Sequence, residues 1–257
     1  MPDLQLLIHA AHEAAEVATS FRGKKLIVKE KANDLGPVTN ADLAVNQTLF
    51  DILTEARPEY AWLSEETEDS RVRLTSDYCF IVDPIDGTRS FMKGEKTWAH
   101  SLAVVFRGSP IAAVIFLPDL SCLYSAQRGS GAKLNSKDTK VSDLNSIEGA
   151  TILAAESIRN TEFWKGGRFP GFEICQKPSI AFRLALVSQG FAEGLLTLRK
   201  SWEWDICAGA LIAEEAGAVV TDRYGEVIQF NSPMATTSGI IAANPVIHKK
   251  LLSRLNS

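Results

Sequence analysis

The chain has 257 residues, 46% hydrophobic and 23% charged, with a formal net charge of −4. That is the ordinary balance of a globular enzyme and enough material for one large domain or two small ones sharing a core. The acidic charge excludes a general nucleic-acid binder, which is usually basic. It leaves room for a phosphorylated substrate, because bound metal ions reverse the sign locally.

Residues 3–20 repeat apolar positions at helical spacing, namely Leu6, Leu7, Ala10, Ala11, Ala14, Val17 and Ala18. Residues 39–57 predict a second helix with the stripe Leu43, Val45, Leu49, Ile52 and Leu53, and Pro58 follows its end. Residues 60–63 read as a strand leading into the acidic run Ser64-Glu65-Glu66-Thr67-Glu68-Asp69. Phe80-Ile81-Val82 reads as a buried strand ending in Asp83-Pro84-Ile85-Asp86-Gly87-Thr88. Segments 99–106, 110–117 and 121–126 read as consecutive antiparallel strands. Residues 129–149 carry Gly, Ser, Lys, Asp and Asn with few large apolar side chains. A domain change is expected there, dividing 1–145 from 146–257. Beyond it, strands at 151–155, 192–198, 219–221 and 240–243 alternate with helices at 182–190, 206–216 and 246–255.

Four cysteines, Cys79, Cys122, Cys175 and Cys207, show no CxxC spacing and sit among apolar or small residues. They are expected to be reduced and mostly buried. The four histidines, His9, His12, His100 and His248, show no ligand spacing. The N-terminus lacks a secretory pattern, and no stretch reaches the roughly 18 apolar residues of a membrane span. A cytoplasmic location without a membrane partner is therefore expected.

The acids carry the functional signal. Two carboxylates about 4 Å apart repel by roughly 4 kcal/mol at an effective dielectric near 20. Asp83 and Asp86, at the end of a buried strand, are costly to leave unpaired. Hard divalent cations remove that cost, because carboxylate and carbonyl oxygens are their preferred ligands. Gly87 lets backbone approach a ligand closely, and Thr88 offers a hydroxyl and an amide at a helix start. Each acidic site alone has a plainer reading. Glu65-Glu66 could be a solvated loop, Asp205 an N-cap before the helix from Ile206, and Asp83/Asp86 a turn with a capping aspartate. Three such sites at the ends of apolar elements weaken these readings together. They point to two or more Mg²⁺ ions bridged by acids, a standard device for phosphoryl chemistry.

With Leu63-Ser64-Glu65-Glu66, Asp83-Pro84-Ile85-Asp86-Gly87-Thr88, and Trp204-Asp205 leading into Ala208-Gly209-Ala210, the chain resembles a known family. This is the inositol monophosphatase superfamily of Mg²⁺-dependent, lithium-sensitive phosphatases, and the resemblance covers nearly the whole chain. It implies an α/β fold, a layered αβαβα sandwich. The N-terminal α+β half would hold a large antiparallel sheet, the C-terminal half a mostly parallel sheet, and the metals would lie between them. Glu65, Asp83 and the carbonyl of Ile85 would hold a first ion; Asp83, Asp86 and Asp205 would hold a second. Glu65 would help hold a looser third, and Mn²⁺ would substitute for Mg²⁺. Thr88 would orient the attacking water, Asp42 would accept a hydrogen bond from that threonine, and Glu66 would support the water network. Lys31 matches a loop lysine near the metals. Substrate contacts are implied for Ile85, Asp86, Gly87, Thr88, Ser179, Arg183 and Asp205, with the Gly87 and Thr88 amides cradling the phosphate. Relatives are commonly homodimers.

The chain departs from the inositol-specific members. They place a glutamate where this chain has Leu198, which cannot accept a hydrogen bond from inositol hydroxyls, and a Gly-Ser pair where it has Pro178-Ser179. Pro37-Val38-Thr39 and Leu63-Ser64-Glu65-Glu66 look more like the family's adenosine bisphosphate nucleotidases. Arg183 falls where those enzymes often carry a lysine; it meets a second phosphate or simply caps a surface helix. The expected substrate is a small phosphorylated polyol or nucleotide, with inositol 1-phosphate and adenosine 3′,5′-bisphosphate as candidates. The alternative is a regulatory binding protein of the same fold that contacts transcription machinery.

Overall fold

Strands buried along both faces must lie between two layers. Three long neighbours, Tyr78–Asp86, Ala99–Phe106 and Ser109–Leu117, are of this kind. Alternate side chains sort them into two cores. Phe80, Val82, Leu102, Val104, Val114 and Phe116 point to one. Cys79, Ile81, Ala103, Val105, Ala113 and Ile115 point to the other. The computed structural model describes residues 1–31 and 36–256.

Among the described residues there are six α-helices: α1 (Asp3–Ser20), α2 (Asn40–Ala56), α3 (Thr88–Met92), α4 (Ile180–Ser188), α5 (Glu203–Glu215) and α6 (Pro245–Arg254). None is long and apolar enough to cross a membrane. The larger sheet runs, in spatial order, Ala61–Ser64, Tyr78–Asp86, Ala99–Phe106, Ser109–Leu117, Cys122–Gln127, Ala132–Leu134, Lys137–Thr139. Its first pair is parallel and the rest are antiparallel. The second large sheet runs Glu173–Cys175, Thr151–Leu153, Gly194–Thr197, Ile240–Ala243, Val219–Thr221.

Helices α1 and α2 cover the outer face of the larger sheet, α4 and α5 lie between the two sheets, and α6 packs on the far face of the second. This is the five-layer αβαβα order that the sequence implied. The middle layer is close-packed. Gly209 on α5 faces α4 so tightly that a Cβ there would lie 2.5 Å from the Leu184 side chain.

Four expectations need correction. The second sheet is mixed rather than mostly parallel: Thr151–Leu153 pairs in parallel with both its neighbours, while Ile240–Ala243 runs antiparallel to both of its own. A short apolar run has the same pattern in either direction, so sequence cannot choose. Leu43 is 46% exposed, and the buried stripe of α2 is instead Ala41, Asp42, Val45, Asn46, Leu49 and Leu53. Polar Asp42 and Asn46 are tolerated there because hydrogen bonds from Thr39, Thr88 and Ser64 satisfy them. Cys79 and Cys207 are buried, but Cys122 and Cys175 only partly, and all four are free. Asp205 is no N-cap, since α5 starts at Glu203 and Trp202 caps it.

Candidate metal centre

The strand Tyr78–Asp86 breaks register against Ala99–Phe106 where its acids are. Asp83 lies opposite Ser101 and Asp86 opposite Ala99, with an irregularity between them. Pro84 cannot donate to a ladder, so a bulge is its natural place in a sheet. His100, wholly buried on the neighbouring strand, donates Nδ1–H to the Pro84 carbonyl. Burial lowers its pKa to about 4, so the ring is neutral. The Ile85 amide donates to Asp83 Oδ1 at 3.0 Å, and the Ile85 carbonyl lies 3.3 Å from the Thr88 hydroxyl. Gly87 ends the segment at φ 100°, and a Cβ there would crowd the Thr97 carbonyl at 3.3 Å, so glycine is required.

Two further elements bring acids to this point. The parallel pairing of Ser64 with Val82 places Glu65 beside the strand end, and its amide donates to the Val82 carbonyl at 3.2 Å. Asp205, in the first turn of α5, is located by the Ser101 hydroxyl, which donates to the Trp204 carbonyl at 3.0 Å. Glu203, fully buried two residues earlier, accepts from the amides of Asn231 and Ser232 at 2.6 and 3.0 Å. Arg73 holds the same loop, donating to the Asn231 side chain and the Ser232 carbonyl. The start of α5 is thus tied to loops from both sheets.

As a result, carboxylate oxygens of Glu65, Asp83 and Asp205 lie within 4.8 Å of one another. Asp86 is adjacent but differently held: its Oδ2 accepts from the Ser179 hydroxyl at 2.6 Å and the Ala181 amide at 2.7 Å. Burial and the charges of Glu65, Asp86 and Asp205 raise the Asp83 carboxyl well above its usual range. Asp205 keeps some surface in the cleft, yet burial and the charges of Asp86 and Glu65 raise it as well. Burial brings Asp86 to about 6. Lys31 Nζ bridges Glu65 and Glu66 at 2.6 Å each. Burial and the Glu65 charge still raise Glu66 to about 7.

The remaining expected groups lie alongside. A capping box holds Asp42, whose Oδ2 accepts from the Thr39 amide at 2.8 Å and from its hydroxyl. Its free Oδ1 accepts from the Thr88 hydroxyl at 3.0 Å. Asn46, one turn along α2, accepts from the Ser64 hydroxyl and donates to Thr67, which fixes the Glu65-Glu66 turn from behind. Ser179 caps α4 by accepting from the Phe182 amide while it holds Asp86. Arg183 points along the same cleft, of about 470 Å³, whose rim also carries Arg199, Lys200, Trp202 and Trp204. The Leu198 side chain is not part of the cleft lining but is buried in a core cluster with Ile152, Leu196 and Ile241, and its carbonyl accepts from Arg223.

The donor set fits a hard divalent cation. Every candidate atom is a carboxylate or carbonyl oxygen; no thiol or imidazole belongs to the cluster. Clustered, desolvated acids with one lysine at their edge are in electrostatic deficit, which cations would relieve. Sequence reasoning missed His100, Glu203, Asn46 and Arg199. The one available signal was Asn46, a polar residue one helical turn after Asp42 on a face otherwise apolar.

Comparison with known proteins agrees with this geometry. The model of the inositol monophosphatase family matches residues 2–257. A relative named Nus factor SuhB, from Vibrio cholerae, is 30% identical over 99% of this chain and 96% of its own. Inositol monophosphatase 2 of Saccharomyces cerevisiae is 30% identical over 80% of this chain and 75% of its own. Among solved structures, the extragenic suppressor protein suhB from Bartonella henselae superposes with a TM-score of 0.83 at 30% identity, covering 97% of this chain and 96% of that one. An IMPase from Thermotoga maritima gives 0.85 at 26% identity, covering 98% and 96%. Whole-chain match, five-layer architecture and converging acids agree, and the chain belongs to the inositol monophosphatase family.

Proposed function

We propose that this protein is a Mg²⁺-dependent phosphomonoesterase that hydrolyses a small phosphorylated polyol or nucleotide. The observation that carries this reading is the convergence of Glu65, Asp83 and Asp205 beside the Asp42–Thr88 pair. Glu65, Asp83, Asp205, Asp86 and the Ile85 carbonyl would hold the ions, two or three Mg²⁺ with Mn²⁺ able to replace them. Bound ions supply charge neutralisation at the phosphoryl oxygens and lower the pKa of water. Thr88 gives its only hydroxyl proton to Asp42, so its oxygen is free to accept from a water and aim it. Glu66 Oε1 is taken by Lys31, leaving Oε2 for the same water network. The Gly87 and Thr88 amides and Ser179 edge the space a phosphate would fill. Ser179 acts there mainly by holding Asp86.

A phosphate-release panel with inositol 1-phosphate, adenosine 3′,5′-bisphosphate, fructose 1,6-bisphosphate and histidinol phosphate tests the reading. Turnover that requires Mg²⁺ or Mn²⁺ is expected for at least one; none with either ion would overturn it.

A second reading has its own support, because relatives covering almost the whole chain carry the name Nus factor. In that reading the protein also contacts transcription machinery. Co-purification with RNA polymerase would be expected, and its clean absence alongside fast turnover would remove the reading. A homodimer is proposed for either role, and light scattering should give twice the chain mass.

A further inference from the structure

One polar ring lies where packing alone would place an aliphatic side chain. His100 shares a face of its strand with Leu102 and Val104, which pack into the core beneath α1 and α2, and it is wholly buried. Its Nδ1 meets the Pro84 carbonyl. A carbonyl can only accept, so the proton of the neutral ring is on Nδ1 and Nε2 is a bare acceptor. That Nε2 is buried with no hydrogen-bond partner among the described residues. Such an atom costs stability, and a leucine or valine would fill the place without it. The bond to Pro84 is what distinguishes the histidine from those residues.

That bond lies one peptide from the acidic cluster. The Pro84–Ile85 peptide is clamped at both ends, its carbonyl by His100 and its amide by Asp83 Oδ1 at 3.0 Å. Imidazole, peptide and carboxylate thus form a chain of hydrogen bonds in which each polarises the next. The clamped peptide sits inside the irregularity between Asp83 and Asp86, where the ladder to the next strand is interrupted. The ring itself is held edge-on against Trp98, with centres 5.3 Å apart, and the Trp98 indole donates to Asp119 at 2.7 Å.

We propose that His100 is a positioning residue of the metal centre: through the Pro84–Ile85 peptide, its Nδ1–H fixes the direction of the Asp83 carboxylate and of the Ile85 carbonyl that follows. This deepens the metal-dependent reading above and rests on it. Groups that orient metal ligands from behind typically change metal affinity by about 10–100-fold when removed.

Polar isosteres separate the bond from the packing. An asparagine amide can donate from near the place of Nδ1, a glutamine amide from near the place of Nε2, and leucine cannot donate at all. Mn²⁺ titration of the whole chain, followed by the electron paramagnetic resonance of the free ion, reads the site without turnover. His100→Gln and His100→Leu should weaken Mn²⁺ binding at least about tenfold, and His100→Asn should stay within about threefold of the unchanged protein. The metal-free melting temperature of His100→Leu should change little, because an unmet Pro84 carbonyl replaces an unmet Nε2. Unaltered Mn²⁺ affinity in His100→Gln and His100→Leu would overturn the proposal and leave the metal centre standing. Equal weakening in His100→Asn and His100→Leu would also overturn it, since the ring would then act by packing. If His100→Leu does not fold, the contrast between His100→Gln and His100→Asn decides alone. No Mn²⁺ binding by the unchanged protein would instead remove the metal centre, and the proposal with it.

Discussion

The two walls of the cleft are built in opposite ways. On the acidic wall every carboxylate is located by the fold: Asp83 by a sheet bulge, Glu65 by parallel pairing, Asp205 by a helix tied at its start, and Asp42 by a capping box. On the basic wall, Arg199 and Lys200 sit on an exposed turn and no acid meets them among the described residues. Rigid placement suits chemistry, where a small misplacement lowers rate steeply. Long cationic side chains on a turn suit selection, where reach matters more than angle. Acidic-wall changes should therefore act on kcat, and basic-wall changes on KM and on substrate preference.

The largest effect is expected at the acids. Asp205→Asn should lower Mg²⁺-dependent kcat by at least roughly 10²–10³-fold, as losses of transition-state charge stabilisation do. Removing one of several repelling charges should leave the metal-free melting temperature unchanged or higher. Full activity in this variant would erase the distinction between the walls. Thr88→Val and Asp42→Asn come next, each expected to lower kcat about 10²-fold with KM little altered. Steady-state kinetics in which KM alone changes would move these two residues to the binding side.

Stability provides smaller effects. Glu203→Ala leaves the Asn231 and Ser232 amides unmet and should cost about 2–3 kcal/mol in urea unfolding. Gly209→Ala drives a methyl against Leu184 and should cost roughly 1–3 kcal/mol. Leu43→Ala, on the exposed side of α2, should change stability by less than about 0.5 kcal/mol.

The pH dependence separates the walls without any mutation. Unfolded carboxylates titrate near roughly 4. In the folded chain, burial raises Asp86 to about 6 and Glu66 to about 7, and raises Asp83 and Asp205 further above their usual range. Between those values the folded form keeps protons that the unfolded form has lost, so stability falls as pH rises through the interval. Metal-free protein should melt at a lower temperature at pH 8 than at pH 5, and Mg²⁺ should recover more at pH 8. A melting temperature independent of pH and Mg²⁺ would show that these acids do not repel one another.

The acidic wall was legible in the sequence because its residues lie within short motifs at the ends of strongly apolar elements. Asp83, Ile85, Asp86, Gly87 and Thr88 are consecutive or nearly so, and Asp205 opens an Ala-rich helix. The layer order was implied by the family resemblance that those motifs carry. What stayed hidden depended on three-dimensional assembly. Strand direction in the second sheet leaves no trace in a four-residue apolar run. His100 looks like any strand residue until the bulge brings the Pro84 carbonyl to it. Arg199 and Lys200 are ordinary turn residues until α4 places Arg183 on the same wall. Leu43 fitted the helical period, but the face it shared was given up to Asp42 and Asn46, whose partners lie in distant segments.

Diffraction at the manganese edge from crystals soaked in Mn²⁺ and phosphate tests the chemistry most directly. Anomalous density bonded to oxygens of Glu65, Asp83 and Asp205, with phosphate beside Thr88, is the expected result. Those three carboxylates without a bound ion at saturating Mn²⁺ would contradict it.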